Sequence, residues 1–374
     1  MTKKILISQK FVLGMMLVLL LTGCSERVEQ REIVIGAAWP FESNNSSFNE
    51  GIDLAVKELN SSGGINGRAI RLLKKDDGGD VGRGMAVAQS FAENKEVKAV
   101  IGHRNSFISI PASRIYNNAG LVMLSPASTA PELTKGEYKY IFRNIPSDDE
   151  IAKQLVSHAA KQGHRRMAVF YSDDAYGIGL ANSFEDHARS QGITVVDRYY
   201  YYSSLEDLRR IHNKWQSYGF DGIFLAKSMR EGAQFIQDAR KAGITVPMFT
   251  GNALDSPLAL KIAGKAAEGI VVGSIFNPNS DRPEVKKFVK SYMAEYKEIP
   301  SSYAAQGYDA VKMLADALRK SDLLKHSTVA HELRNLDAWS GVTGVHKFDD
   351  NGDDLGDLVV LKKLLEGEFV YLEK

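Results

Sequence analysis

Residue types that do chemistry occur throughout the chain, but few stand at the spacings that catalysis or metal binding requires. The sequence contains no G-x-x-x-x-G-K-[ST] phosphate loop and no G-x-S-x-G nucleophile elbow. His331-Glu332 begins an H-E-x-x-H zinc motif, but Asn335 occupies the position of the second histidine. We therefore expect no catalytic residue, no metal and no cofactor, and a function that is not enzymatic.

A glycine-rich turn and two acidic turns come closer to known ligand sites. Gly177 and Gly179 begin a near match to the dinucleotide fingerprint, but Asn182 replaces its third glycine. We favour an ordinary strand-to-helix turn there over a nucleotide site. Residues 76–80 and 349–354 do not supply the full ligand pattern of a calcium loop, so Asx turns with glycine are favoured over calcium binding.

The single cysteine, Cys24, has the clearest chemical context. Three lysines precede the apolar run 11–21, and Thr22-Gly23-Cys24 follow it. This pattern predicts a secretory signal peptide over residues 1–23, and the run is too short for an ordinary membrane-spanning helix. The segment ending at Cys24 resembles the bacterial lipobox, in which the cysteine carries a diacylglyceryl group. A plain signal peptide or a short membrane anchor is the alternative.

If the signal is a lipobox, residues 24–32 form a lipidated tether. The globular part then lies outside the cytoplasm, in a periplasm or at the outer face of the cell membrane, and is held there by lipid on Cys24. Because the chain has one cysteine, an intramolecular disulfide is excluded.

The charge balance argues against a nucleic-acid partner. The 374 residues include 47 Lys and Arg against 46 Asp and Glu, a net charge of +1. Residues 1–23 hold three lysines and no acid, so the remainder is near −2. A nucleic-acid binder normally shows a basic domain or stripe. The length predicts about two domains.

Strand-type and helix-type segments alternate along most of the chain. Residues 33–37 form a β-type run, and Ile52, Ala55 and Leu59 share one face of a predicted helix over 49–59. The alternation continues to about residue 124 and repeats over 151–272. It predicts two doubly wound α/β lobes with parallel sheets. In the second lobe, the tyrosine run 199–202 is most simply part of a strand over 195–201, and a stacking platform for a ligand is the alternative.

The part after about residue 280 differs, with helices predicted over 283–295 and 304–319 and a hairpin-like turn at 348–352. Open α/β sheets bind ligands beyond the carboxyl ends of their strands. Two such lobes that face each other predict a ligand cleft between them.

Several segments in a fixed order resemble one known family. They include Gly102-His103-Arg104-Asn105-Ser106, an S-P-x-x-T segment at 125–129, and residues 142–148, 174–177, 263–269, 307–310 and 344–352. Over residues 33 to about 360 the chain resembles the leucine/isoleucine/valine-binding proteins, which are type I periplasmic solute-binding proteins of ABC transporters. The resemblance implies a three-strand hinge with crossings near residues 147, 276 and 356. The lobes would then be 33–146 plus 277–356, and 147–276 plus 357–374.

The resemblance also implies ligand-binding residues. Ser106, after the third strand, would bind a ligand carboxylate, together with Ala127, Ser128 and Thr129 of the S-P-x-x-T segment. Tyr176 would cover the ligand. Hydroxyls and backbone N–H groups at helix starts suit an anion. The alternatives are helix capping for the two serines and ordinary packing for the tyrosine.

The chain departs from the family at the position that receives the ligand ammonium. Asn252 stands where the amino-acid binders place an acid, and the nearest acid is Asp255. Arg104, Lys227 and Arg230 would either receive a second anionic group or serve as surface charges. We therefore expect a small carboxylate-bearing solute, namely an amino acid, an amide or a related organic acid, and favour an ordinary branched amino acid less.

The function implied is that of an extracytoplasmic, monomeric lipoprotein that captures a solute for an ABC importer. Closure of the lobes around the ligand would present a closed form to a permease in the membrane. The alternative is a sensor that presents its closed form to a membrane signalling receptor. An extracytoplasmic enzyme is the weakest candidate, because no nucleophile, base and orienting group can be assembled.

Overall fold

The computed structural model describes residues 32–42, 47–322 and 325–372. Cys24, the predicted signal peptide and all but the last residue of the predicted tether lie outside these ranges. The described helices are α1 (Phe48–Ser61), α2 (Val81–Glu93), α3 (Ser106–Ala119), α4 (Asp148–Lys161), α5 (Ala175–Ser190), α6 (Leu205–Ser217), α7 (Met229–Lys241), α8 (Pro257–Ala263), α9 (Pro283–Tyr296), α10 (Ser302–Lys320) and α11 (His326–Arg334).

The described strands follow the same order along the chain. They are β1 (Ile33–Trp39), β2 (Ile70–Asp76), β3 (Val97–Ile101), β4 (Val122–Ser125), β5 (Ile141–Arg143), β6 (Arg166–Tyr171), β7 (Thr194–Tyr199), β8 (Gly222–Ala226), β9 (Met248–Thr250), β10 (Val271–Ser274), β11 (Trp339–Ser340), β12 (Val345–His346), β13 (Val360–Leu365) and β14 (Glu368–Tyr371).

The first sheet is parallel throughout and has the order β2-β1-β3-β4-β5. All seven residues of β1 are buried, as expected for a parallel strand covered on both faces. One face packs against α1, α9, α10 and α11, with Phe48 and Val311 in the shared core. The other packs against α2 and α3, through Phe91 and Tyr116. The late helices α9–α11 therefore complete the core of a sheet formed early in the chain.

The second sheet has the order β14-β13-β10-β9-β8-β6-β7. It is parallel from β7 to β10, whereas β13 and β14 pair antiparallel at one side. Its two faces carry separate cores, one around Trp215 and Phe235 and the other around Phe184 and Leu155. The predicted pair of doubly wound α/β blocks is confirmed. The strands β13 and β14 were not predicted, and the lobe boundaries stay a prediction.

Several local predictions differ from the structure. Residues 110–117 are predicted from the sequence to form a helix, but α3 begins earlier, at Ser106, so the serine lies in its first turn. The strand predicted to run to residue 201 ends at Tyr199, and Tyr200 and Tyr201 are exposed beyond it. Gly177 lies within α5 and not in a turn before it. A Cβ at Gly177 would come within 2.2 Å of the Ser172 carbonyl oxygen, so the glycine allows α5 to start close to the end of β6.

The acidic segment at 76–80 forms turns of the favoured kind. The N–H of Gly79 donates to the Asp77 carboxylate at 3.0 Å, and Asp80 caps α2 through the N–H of Arg83. These carboxylates are therefore used by the backbone of the turn itself.

Candidate ligand-binding site

A cavity of about 370 Å³ lies at the carboxyl edges of both sheets. Its walls come from the segments that follow β1, β2, β3, β4, β6, β8 and β9, and from the first turn of α10. The lining residues are Pro40, Gly79, Arg104, Asn105, Ser106, Phe107, Ala127, Asp174, Tyr176, Ser228, Met229, Arg230, Asn252, Ala253 and Tyr303. Of the residues predicted from the sequence, the cavity brings together Arg104, Ser106, Ala127, Tyr176, Arg230 and Asn252.

Ser106 stands at the start of α3, at one end of the cavity. Its hydroxyl accepts a hydrogen bond from the N–H of Ala130 at 3.3 Å, which ties the helix start to the segment after β4. N–H groups in the first turn of a helix lack intrahelical acceptors and carry partial positive charge. This end of the cavity therefore suits a carboxylate.

Ser128 is buried behind this end and does not line the cavity. The carbonyl oxygen of His103 lies 3.3 Å from the hydroxyls of Ser109, Ser125 and Ser128. Ser128 Oγ also lies 2.6 Å from the Ser109 hydroxyl and 3.2 Å from the Arg104 carbonyl oxygen. Ser128 is thus placed to shape the loop that carries Ser106, through hydrogen bonds within the protein.

Thr129 is also buried away from the cavity, beside an acid that was not predicted as a site residue. Asp148 begins α4, is fully buried, and its N–H donates to the Thr129 carbonyl at 2.8 Å. Burial raises the pKa of the Asp148 carboxyl to about 7, although the Thr129 hydroxyl and the Arg143 guanidinium favour the charged form. Neither Asp148 oxygen nor the Thr129 hydroxyl completes a hydrogen bond with a described residue.

Tyr176 and Asn252 extend this set of unpaired groups to the cavity wall. The Tyr176 hydroxyl and Asn252 Oδ1 are buried without a partner among the described residues. Burial, reinforced by the nearby Asp148, raises the pKa of Tyr176, so its hydroxyl keeps its proton. Asp174 also lines the cavity, and its carboxylate accepts from the N–H of Gly177 at 2.8 Å. Burial raises the pKa of Asp174 despite that hydrogen bond.

Lys227 does not line this cavity. Its ammonium donates to the Tyr200 carbonyl at 2.9 Å, approaches Glu231 at 3.4 Å and lies 4.9 Å from the centre of the Phe170 ring. It lies in a neighbouring groove that Tyr200, Tyr201 and other residues line. The Lys227 ammonium is therefore engaged by contacts within the protein.

Asp255 is likewise engaged inside the protein. Its carboxylate forms an ion pair with Lys362 of β13 and accepts hydrogen bonds from the hydroxyls of Ser274 and Ser302. Asp255 and Lys362 are both buried. The structure thus places Asp255 where it holds β10, β13 and α10 together, and the candidate site does not include it.

The acids of the candidate site were the residues that the sequence signalled least. Asp174 stands three residues after β6, at the carboxyl edge of a sheet and just before a helix, and this position could have singled it out. Asp148 looks like an ordinary acid in a first helical turn, next to Asp149 and Glu150. Only packing distinguishes it from these neighbours.

The described ranges hold no helix long and apolar enough to cross a bilayer. In the same part of the chain, His, Cys, Asp and Glu side chains form no group of three that could hold a metal ion.

Comparison with known proteins assigns the chain to a family. Residues 32–356 match the family model described as periplasmic binding protein. An ABC transporter substrate-binding protein of Desulfitobacterium hafniense, solved in complex with Leu, is 55% identical. The match covers 91% of this chain and 100% of that one, with a TM-score of 0.86.

More distant relatives agree with this assignment. The Leu/Ile/Val-binding protein homolog 1 of Brucella suis is 27% identical over 92% of this chain and 94% of its own length. The leucine-binding protein LivK of Thermotoga maritima is 24% identical, covers 91% of this chain and 98% of its own, and shares the fold with a TM-score of 0.84. The resemblance seen in the sequence is confirmed, and the chain belongs to the periplasmic binding protein family.

Proposed function

We propose that this protein captures an L-α-amino acid with an apolar side chain of the leucine type. It would do so outside the cytoplasm, as the substrate-binding component of an ABC importer. The observation that carries the proposal is one cavity with two complementary polar ends. One end offers donors to a carboxylate, and the other offers unpaired oxygens to an ammonium group.

The carboxylate end is the start of α3. The Ser106 hydroxyl and the N–H groups of the first helical turn are the donors, and Ala127 forms the adjacent wall. Hydrogen bonds to a charged group contribute about 1.5–3 kcal/mol each. This end alone would accept any small carboxylate, so it does not select an amino acid.

The ammonium end supplies that selection. Asn252 and Asp174 line the cavity, and the buried Asp148 lies close to Asp174, Thr129 and Tyr176. A buried oxygen without a partner costs about 1–3 kcal/mol. An ammonium group brings three N–H donors and a positive charge, so it would satisfy these oxygens and favour the charged form of Asp148. Asp148 and Asp174 thereby replace the acid that is absent at position 252.

The remaining walls fit an apolar side chain of modest size. Pro40, Phe107, Met229 and Tyr303 are apolar or aromatic residues that line it. A volume of about 370 Å³ is near the small end of ligand pockets, which span roughly 300–1,000 Å³. The 55% identical Desulfitobacterium protein, solved with Leu, supports a ligand of this class.

Two lobes would close on the captured ligand and present it at the membrane. The lobes would be 33–146 plus 277–356, and 147–276 plus 357–374. Support comes from the first-sheet core, which includes Val285 and Phe348, and from the late strands β13 and β14 in the second sheet. Ligand would close the lobes, and a membrane permease would bind the closed monomer. Lipid on Cys24 would tether it, and sensing stays the alternative hypothesis.

The test compares three ligands by isothermal titration calorimetry on the full-length protein. L-Leucine carries both charged groups, 4-methylpentanoate lacks the ammonium, and 3-methylbutylamine lacks the carboxylate. We expect L-leucine to bind at least about 30-fold more tightly than either truncated ligand, since each lost group removes charge-assisted hydrogen bonds. Equal binding of leucine and 4-methylpentanoate would refute an ammonium site, and no binding of leucine would refute the proposed ligand class.

A further inference from the structure

Two arginines in the cavity wall have no acidic partner among the residues that the structure describes. Arg104 follows β3 of the first sheet and is half-buried, whereas Arg230 lies in the first turn of α7 beside the second sheet and is exposed. Neither guanidinium forms an ion pair with any residue in the described ranges. Elsewhere, Arg143 and Arg198 have carboxylates at ion-pair distance. The two cavity arginines are thus available to a ligand.

The Arg104 side chain is held in place without being neutralised. Its guanidinium carbon lies 5.0 Å from the centre of the Tyr303 ring. An aromatic face stabilises a cation by about 0.5–2 kcal/mol and restricts its position, but leaves its N–H donors free at the rim. A guanidinium offers a planar fork of donors that matches a carboxylate. Arg104 is therefore preorganised for an anionic group.

The acids of the cavity do not balance these arginines. Asp174 accepts from the N–H of Gly177, and Asp148 lies beside Thr129 and Tyr176. Neither acid is within ion-pair distance of Arg104 or Arg230. A zwitterionic ligand brings one carboxylate and one ammonium, which the start of α3 and the two acids would use. The two guanidinium groups then still lack a counter-charge.

We propose that Arg104 and Arg230 form a second anion subsite, which binds a carboxylate on the ligand side chain. The protein would then take up acidic amino acids of glutamate length in addition to apolar ones. This inference rests on the proposed amino-acid function and extends its ligand class. Because the two arginines come from opposite sheets, an anion between them would also reduce their mutual repulsion when the lobes close.

The test uses the full-length protein and two ligands that differ only in charge, L-glutamate and its neutral isostere L-glutamine. We expect the wild type to bind glutamate at least tenfold more tightly than glutamine. In Arg104→Gln and in Arg230→Gln, this ratio should fall to about one. The control is Arg114→Gln, an exposed arginine of α3 outside the cavity, which should keep the wild-type ratio.

The failures of the two proposals are separable. Wild type that binds leucine but shows no preference for glutamate over glutamine would overturn the anion subsite and leave the amino-acid function intact. Wild type that binds no amino acid would overturn both. In a further outcome, Arg104→Gln keeps the melting temperature of the empty protein and yet loses binding of leucine, glutamate and glutamine alike. That outcome would assign Arg104 to the ligand α-carboxylate and overturn the subsite. If chloride raises leucine affinity and the protein binds no glutamate, the arginines bind an inorganic anion only. That result would also overturn the proposed subsite for a side-chain carboxylate.

Discussion

Polar side chains around Ser106 are hydrogen-bonded within the protein, whereas those around Asp148 have oxygens with no partner among the described residues. At the first end, three serine hydroxyls surround the His103 carbonyl and the Ser106 hydroxyl accepts from Ala130. At the second end, oxygens of Asp148, Thr129, Tyr176 and Asn252 are buried without partners in the part of the chain that the structure describes. The first end is therefore complete in the empty protein, and the proposed ligand would complete the second end.

This difference bears on stability and on selectivity. The groups around Ser106 form their hydrogen bonds within the protein, so this end keeps its geometry when no ligand is bound. It can therefore bind any carboxylate that fits. Unpaired buried oxygens destabilise the empty protein, and that cost is relieved only by a ligand with donors. Selection for an amino acid should therefore depend most on the second end.

The largest expected effect comes from removing the charge at the unpaired end. Asp148→Asn should weaken L-leucine binding by about 100-fold, equivalent to about 2.7 kcal/mol, because the ammonium loses its counter-charge. The melting temperature of the empty protein should not fall, because a desolvated carboxyl has been replaced by a neutral amide. Calorimetry and thermal unfolding measure the two quantities.

The matched control is Asp149→Asn, the next residue of α4, whose carboxylate is exposed and lies 3.0 Å from His187. Its leucine affinity should match that of the wild type. If Asp148→Asn binds leucine as tightly as Asp149→Asn does, the counter-charge role is wrong. A large loss of stability in the empty Asp148→Asn protein would instead indicate a structural role.

A smaller effect on ligand binding is expected at the end of the cavity around Ser106. Ser106→Ala should weaken L-leucine and 4-methylpentanoate equally, by about tenfold, because both ligands share the carboxylate. The empty protein should lose no more than about 1 kcal/mol, the typical worth of the hydrogen bond from Ala130. The control is Ser113→Ala, also on α3, whose hydroxyl donates to the Ile110 carbonyl within the helix. Unequal losses for the two ligands would contradict the division of the cavity into two ends.

The smallest effect is the pH dependence of leucine binding. The pKa of Asp148 is about 7 in the empty protein, above its ordinary value of 3.8, so the carboxyl binds a proton as pH falls through 7. An ammonium ligand favours the charged form, so leucine affinity should rise with pH between about 6 and 8 and change less than tenfold per unit. The groups facing Asp148 are Thr129, Arg143, Glu132 and Asp174.

The same proton equilibrium of Asp148 makes the stability of the empty protein fall with rising pH, whereas leucine affinity rises. Because the folded state binds the Asp148 proton more tightly than the unfolded state, this group destabilises the empty protein as pH rises from about 4 through 7. Titrations at several pH values in wild type and Asp148→Asn would separate this carboxyl from the others. A pH slope that persists unchanged in Asp148→Asn would assign it to another group.

The sequence was sufficient for much of the fold and for several residues that line the candidate cavity. Helix faces and short apolar strands follow from local periodicity, so β1, α1 and their repeats could be placed from residue types alone. Ser106 and Tyr176 were found by their position in family segments, and the structure places both in the cavity wall. The short strands β13 and β14 give little periodic signal, and they were missed.

The rest of the site depends on contacts between distant parts of the chain. Asp148 is set apart from Asp149 by its packing against Thr129 and against Gly179 of α5, where a Cβ would come 3.4 Å from the carboxylate. Asp255 looked available because it follows a strand closely, but Lys362, more than a hundred residues later, neutralises it. Neither fact can be deduced from local residue types.

The placement of the late segments has a consequence for how the chain acquires its structure during synthesis. The first sheet ends at residue 143, yet the helices that cover one of its faces, α9–α11, begin at residue 283. The second sheet needs β13 and β14, which begin at residue 360. Neither half can bury its full apolar surface until the last quarter of the chain has been made. Nascent chains should therefore stay incompletely folded for most of translation, and native contacts at long sequence separation should make folding slow.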